Sequence, residues 1–294
     1  MKIQYLNGGL ANQVFQYIFV RFAQLYQPGA ETILLDDSFF FVNHMHNGYE
    51  LEKVFGLKPA LLSEYFEEDV WNFIVEKKRQ GISVCQSIKD IDVDITMISE
   101  MPNYKTVNPF DGEVIEVPGN DFYPQVLDAS GNIYYHGYWI NKNWFNSYRD
   151  IFLAELVFPA VTDERNREYE RRILTSSSLG VHIRRGDYVT LGWDLKADYY
   201  RQTLEGVKEQ YPEMTLFVFS DDVEWCKKSA ADLGFHYFQD VVFVEGNIAG
   251  NNYIDLYLMS LCEGLVMSIS AFCYLAALLN RRLKFVCNPT EREV

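Results

Sequence analysis

Residues 179–220 read LGVHIRRGDYVTLGWDLKADYYRQTLEGVKEQYPEMTLFVFS, and the plan of the fold is in them. Leu179–Ile183 is a short apolar run broken only by His182, and Thr215–Ser220 (TLFVFS) is another. Between them Ala197–Gln210 reads as a helix. Short apolar strands alternating with helices imply right-handed crossovers and a parallel sheet covered on both faces.

The same alternation continues downstream. Val223–Leu233, Tyr253–Glu263 and Ala271–Leu279 read as helices; Phe235–Phe238, Leu265–Ser268 and Leu283–Val286 read as strands. Upstream, residues 162–176 form a charged helix. A second unit opens the chain. Residues 2–6 (KIQYL) alternate like a strand, Asn7-Gly8-Gly9 is a turn, and Val14, Phe15, Ile18, Phe19, Phe22 and Leu25 recur at a helical period. Residues 32–35 (TILL) give the next strand, which completes a βαβ unit. The middle is less regular: short helices at Tyr49–Phe55 and Leu61–Glu68, irregular peripheral chain over 81–130, a strand at 132–139 and a helix at Lys142–Phe152. The expected fold is α/β, GT-B-like, with two Rossmann-type halves, residues 1–155 and 156–294. Their parallel sheets would face a central cleft, with ligands at the carboxyl ends of the strands.

Composition removes several classes of function. Twenty-six Lys plus Arg stand against 41 Asp plus Glu, a net charge of −15. A general nucleic-acid binder or a protein adhering to anionic lipid needs the opposite sign. Five cysteines without CxxC spacing and five scattered histidines give no metal signature, so buried free thiols are expected. The N-terminal MKIQYLNGGLANQ reads as strand and turn rather than as a signal peptide. No run of about 18 apolar residues is present, so a soluble cytoplasmic protein is expected.

Five segments can carry chemistry. In His182-Ile183-Arg184-Arg185-Gly186-Asp187, two guanidiniums leave a strand end beside a glycine and a carboxylate. Arginine's donor fork matches phosphate oxygens, and neighbouring strand residues point opposite ways, so the two arginines should do different jobs. The bland alternative is a structural Arg–Asp pair. In Gly8–Gln13 (GGLANQ), Asn12 and Gln13 are polar and neutral, which suits a sugar hydroxyl better than a phosphate; a plain strand-to-helix turn explains the segment equally well. In Phe219–Asp222 (FSDD), Ser220 or Asp221 can cap the following helix. Asp255 begins a helix, and Ser268 and Ser270 stand between a strand and a helix, where hydroxyls serve either an anion or a cap. Finally Tyr138, Trp139, Trp144 and Phe145 can stack on a sugar or fill the core.

Taken in order, these segments resemble the family 11 glycosyltransferases, the α-1,2-fucosyltransferases of bacteria and animals within the wider HxRRxD fucosyltransferase superfamily. Gly8–Gln13 with the aromatic helix after it, Gly137–Phe145 (GYWINKNWF), His182–Asp187, Phe219–Trp225 (FSDDVEW) and Asp255–Cys262 (DLYLMSLC) carry the likeness, over residues 3 to about 286. Ala11 stands where the family has Gly, and Ser268–Leu275 (SISAFCYL) lacks the family's paired Trp and Gly.

The resemblance implies a C-terminal half that binds GDP-fucose, an acceptor-side N-terminal half and inversion at the anomeric carbon, with no metal and no other cofactor. It further implies that Arg184 binds the β-phosphate while His182, Arg185 and Asp187 support the donor site. Asp255 with Ser268 or Ser270 would lie near the nucleotide, and Asn12 near the reacting sugars. The acceptor would be a galactose-terminated oligosaccharide fucosylated at its 2-hydroxyl. Asp187 and Asp194 are the candidate bases. The altered serine segment keeps a second class of function open, a sugar-nucleotide or glycan-binding protein on a decayed transferase scaffold; a fucosyltransferase of another linkage is a third.

Overall fold

The computed structural model describes residues 1–44, 46–100 and 110–290. The chain divides into two compact units, Met1–Val157 and Phe158–Val294. Each is built on its own five-stranded, all-parallel sheet.

In the first unit the strands are β1 (Lys2–Tyr5), β2 (Ile33–Asp36), β3 (Thr96–Ser99), β4 (Val114–Glu116) and β5 (Ile133–His136). Their spatial order is β2-β1-β5-β3-β4. Helix α1 (Leu10–Tyr26) makes the first crossover. Its buried stripe includes Phe15, Ile18, Phe19 and Phe22, and Phe19 stacks on Trp139 at 4.2 Å between ring centroids. Two further helices, α2 (Glu68–Arg79) and α3 (Val84–Asp90), bury Trp71, Ile74, Val75, Val84 and Ile88 against Ile3, Met97 and Tyr134 of the sheet.

Several expectations for this unit need correcting. Residues 81–130 are not peripheral: they supply α3, β3 and β4, and so two of the five strands. Parts of that range, residues 101–109, lie outside the described residues. The helix expected over Leu61–Glu68 is a 3-10 turn at Leu62–Glu64, and α2 begins where it was expected to end. Charged residues crowd α2, so its i, i+3, i+4 stripe of Trp71, Ile74 and Val75 is narrow and easily missed. Lys142–Phe152 breaks into two short helices, Lys142–Asn146 and Arg149–Glu155.

In the second unit the strands are β6 (Ser178–Ile183), β7 (Thr215–Ser220), β8 (Val241–Phe243), β9 (Gly264–Val266) and β10 (Phe285–Cys287), ordered β10-β9-β6-β7-β8. Its helices are α4 (Glu164–Thr175), α5 (Gly186–Leu191), α6 (Ala197–Gln210), α7 (Val223–Lys228), α8 (Tyr253–Met259) and α9 (Ala271–Leu279). Every residue of β6 is buried, as a central strand covered on both faces requires. The strand expected at Phe235–Phe238 is a 3-10 turn, Phe235–Tyr237; the chain pairs only from Val241 onward. Of the five cysteines, which are all free thiols, four are buried. Among the described residues no helix is long and apolar enough to cross a membrane.

Candidate active site

The second unit has a defined switch point. From β6 the chain winds to β7 and β8 on one side; it then crosses to β9 and β10 on the other. The carboxyl ends of β6 and β9 therefore lie side by side between diverging crossovers, where open α/β sheets hold ligands. His182 and Ser268 join these two ends, with Nδ1 2.7 Å from Oγ. Burial, aided by the Arg184 charge, pushes the His182 imidazole down to about 3, so it stays neutral near pH 7. Its ring lies 5.8 Å from that of Phe272.

Just beyond β6 the two arginine side chains take different partners. Arg184 is the more open, with 31% of its side chain exposed against 18% for Arg185. Its guanidinium spans two carboxylates: Nη2 meets Asp187 Oδ1 at 2.6 Å and Nη1 meets Asp221 Oδ2 at 2.8 Å. Arg185 is clamped. Its guanidinium lies 3.7 Å from the Trp225 ring centroid, Nε donates to Asp222 Oδ2 at 3.1 Å, and its backbone N–H donates to Asp221 Oδ1 at 2.8 Å. Gly186 is required by this crowding, because a Cβ there would stand 2.6 Å from Asp221 Oδ2.

Asp221 and Asp222 are the residues the sequence reading undervalued. The cap of α7 is neither Ser220 nor Asp221 but Asp222, whose Oδ1 accepts from Trp225 N at 3.2 Å. Asp221 instead holds both arginines. Neither strand's own sequence carries that signal; the register does, since Ile183 pairs with Ser220 and so sets Arg184 beside Asp221 one step further along.

The two serines separate in role. Ser270 caps α9, its Oγ accepting from Phe272 N at 3.2 Å. Ser268 is buried and engaged by His182. Asp255 stands in the first turn of α8, and Asn247 Nδ2 donates to its Oδ1 at 2.7 Å. Desolvation pushes its carboxyl up to about 7. Asn247 and Asn166 exchange amide hydrogen bonds of 2.8 and 3.0 Å, which ties Asp255 to the start of α4. Beside this relay opens a cavity of about 560 Å³ whose walls include Asp163, Arg165, Asn247, Tyr253 and Ile254. Asp194 is largely enclosed, 3.6 Å from Lys196.

In the first unit, Asn12 is half-buried in the first turn of α1, its amide packed on Gly8. Gln13 is not a ligand group: it is fully buried, donating to the Gly8 and Gly48 carbonyls at 2.9 Å each and accepting from Glu50 N at 2.9 Å. Trp139, Trp144 and Phe145 are core, whereas Tyr138 is half-buried.

Comparison with known proteins agrees with this geometry. An Escherichia coli protein named alpha-1,2-colitosyltransferase is 29% identical across 98% of this chain and 92% of its own length. A mouse (Mus musculus) galactoside 2-alpha-L-fucosyltransferase, Sec1, is 28% identical over 49% of this chain and 41% of its own length. The fold is shared with the solved NodZ alpha-1,6-fucosyltransferase, at 14% identity and a TM-score of 0.55, covering 95% of this chain and 92% of that one. The profile of glycosyl transferase family 11 matches residues 5–290, and the chain belongs to that family of glycosyltransferases.

Proposed function

We propose that the chain transfers L-fucose from GDP-fucose, with inversion, to the 2-hydroxyl of a terminal galactose. The observation that carries this reading is Arg184, a guanidinium fixed at the β6–β9 switch point of a family 11 chain. As the bond from the fucose C1 to the β-phosphate oxygen breaks, negative charge grows on that oxygen. A donor already held there stabilises the transition state more than the ground state. Asp221 sets the orientation of Arg184 through Nη1. Asp187, 56% exposed, yields Nη2 to the incoming phosphate. The exchange costs little, since exposed ion pairs contribute only about 0–1 kcal/mol. Arg185 braces the site from its clamp between Asp222 and Trp225. The cavity beside Asn247 has the size and polarity for a nucleobase, and the start of α9 at Ser270 suits a phosphate.

The new bond joins C1 to the galactose O2, whose proton passes to a carboxylate. Asp187 and Asp194 are the two this reading offers. No step calls on a metal, so turnover is expected to persist in EDTA.

One observation favours a second donor. One relative that aligns over nearly the whole chain is a colitosyltransferase, while the match to mouse Sec1 covers half of it. Colitose is fucose without one ring hydroxyl, and the same Arg184 chemistry serves both sugars. Parallel assays with GDP-fucose and GDP-colitose on lactose and N-acetyllactosamine, with and without EDTA, decide between them. Tight GDP binding in calorimetry without turnover of either donor would point instead to a binding protein on a decayed scaffold.

A further inference from the structure

The first unit has a switch point of its own. From β1 the chain leaves toward β2, and from β3 it leaves the other way toward β4, so the carboxyl ends of β1 and β5 lie together between diverging crossovers. Two half-buried side chains stand there, each two residues beyond its strand. They are Asn7 after β1 and Tyr138 after β5, and Asn7 Nδ2 donates to the Tyr138 hydroxyl at 3.3 Å.

The construction beneath this pair is out of proportion to a surface turn. Glu100 is buried, and its Oε2 accepts from the backbone N–H groups of both Tyr138 and Trp139, at 2.8 and 2.7 Å. Its Oε1 accepts from Asn120 N at 3.1 Å. Gln16, also buried, donates to Asn7 Oδ1 at 2.7 Å and to the Gly137 carbonyl at 3.3 Å, and accepts from Asn7 N at 3.1 Å. Gln4 is fully buried; it donates to the Gly137 carbonyl at 3.0 Å and accepts from Trp139 Nε1 at 2.7 Å. Trp139 itself is held at φ 55°, a left-handed conformation unusual for a bulky residue. Gly137 has no room for a side chain, since a Cβ would lie 2.6 Å from Glu100 Oε2. A buried carboxylate, two buried amides and a strained tryptophan thus fix the backbone on either side of one accessible tyrosine. Strain and fully connected buried polar networks of this kind cluster where a group must be presented in one orientation.

The geometry points to Asn7 and Tyr138 as the platform for the acceptor sugar, with Glu100 as the residue that positions it. An aromatic face beside a neutral amide suits a neutral pyranose. The ring meets the sugar's C–H face, the amide and phenol meet hydroxyls, and no charge in the pair selects a phosphate or carboxylate. This assignment rests on the reading of the chain as a galactoside-modifying transferase, but it concerns sugar binding, which can be measured without turnover.

Saturation-transfer NMR with lactose and with GDP, on the wild type and on Tyr138→Ala, Tyr138→Phe and Glu100→Gln, tests it. The wild type should bind lactose. Tyr138→Ala should weaken lactose binding at least tenfold, with GDP binding and the melting temperature kept. Tyr138→Phe should show a smaller loss. Glu100→Gln should weaken lactose binding while leaving GDP unaffected, which a merely folding role would not do. If it fails to fold, the two tyrosine variants still decide. Equal lactose binding by wild type and Tyr138→Ala overturns the assignment, as does a wild type that binds no galactoside. Tyrosine-dependent lactose binding without transfer from GDP-fucose or GDP-colitose would sink the transferase reading and leave this one standing.

Discussion

The two sheet rims differ in charge more than in construction. Each unit places two neighbouring strand ends at a switch point, and each surrounds them with side chains bonded to side chains. At β6 and β9 the groups are two guanidiniums, two aspartates that hold them, a third aspartate and a neutral imidazole. At β1 and β5 the groups around Tyr138 are Asn7, Gln4 and Gln16, with the Glu100 carboxylate spent on backbone N–H groups; close by, Lys78 Nζ donates to the Tyr5 hydroxyl at 3.3 Å. On the proposed function, the rim that meets a diphosphate keeps countercharges held in place by carboxylates, and the rim that meets a neutral sugar keeps amides and an aromatic face. On that same reading, one family fold divides anion recognition from sugar recognition between its units.

Removing the cation from the charged rim should have the largest effect. Arg184→Ala is expected to lower transfer by about 10²–10³-fold, the range for deleting one donor to a developing anion, with the melting temperature unchanged. Arg184→Lys should recover little of it, because an ammonium cannot span both partners as the fork does. Steady-state rates and circular dichroism check both; a variant within tenfold of wild type removes Arg184 from the role given it.

Crowding the Tyr138 rim should come next. Gly137→Ala drives a methyl group into Glu100 and the Trp139 ring. It should cost about 1–3 kcal/mol in a denaturant titration, as overpacking does. An unaltered midpoint would show the network to be looser than described.

The imidazole of the charged rim gives a pH signature. In the unfolded chain His182 takes up a proton near its ordinary 6.5, in the folded chain only near about 3. Its contribution to stability is therefore full above pH 6.5 and declines as the pH falls from there toward 3. Asp255, raised to about 7, pulls the other way, because the folded chain is first to protonate it. The wild-type curve mixes the two. His182→Gln should thus gain on wild type by about 2 kcal/mol between pH 7 and pH 5, read from melting temperatures at both. Parallel curves would show that the imidazole is not held neutral. The smallest effect should come from Ser270→Ala, where loss of the α9 cap costs about 1 kcal/mol and leaves GDP binding within a few-fold.

Most of the second unit was legible because strands such as Leu179–Ile183 and Thr215–Ser220 are apolar runs with helices after them; β8, three residues long, was the exception and was expected at Phe235–Phe238. The first unit hid β3 and β4, of four and three residues, in a stretch rich in Pro, Gly and Asp. Strands that short carry no period of their own and exist only because β5 pairs with β3. At the sites, Arg184 and Asp187 stood out as a pair because they are neighbours in sequence. Asp221, which holds Arg184, comes from the next strand, and Glu100 reaches Tyr138 across 38 residues. Contacts of that kind belong to sheet register, which a strand's own sequence does not display.

The most direct test is the linkage of the product formed from N-acetyllactosamine and GDP-fucose or GDP-colitose in the presence of EDTA, determined by NMR. The account predicts one new α-linked sugar on O2 of the terminal galactose. No product from either donor, or a product linked through any other hydroxyl, would contradict it.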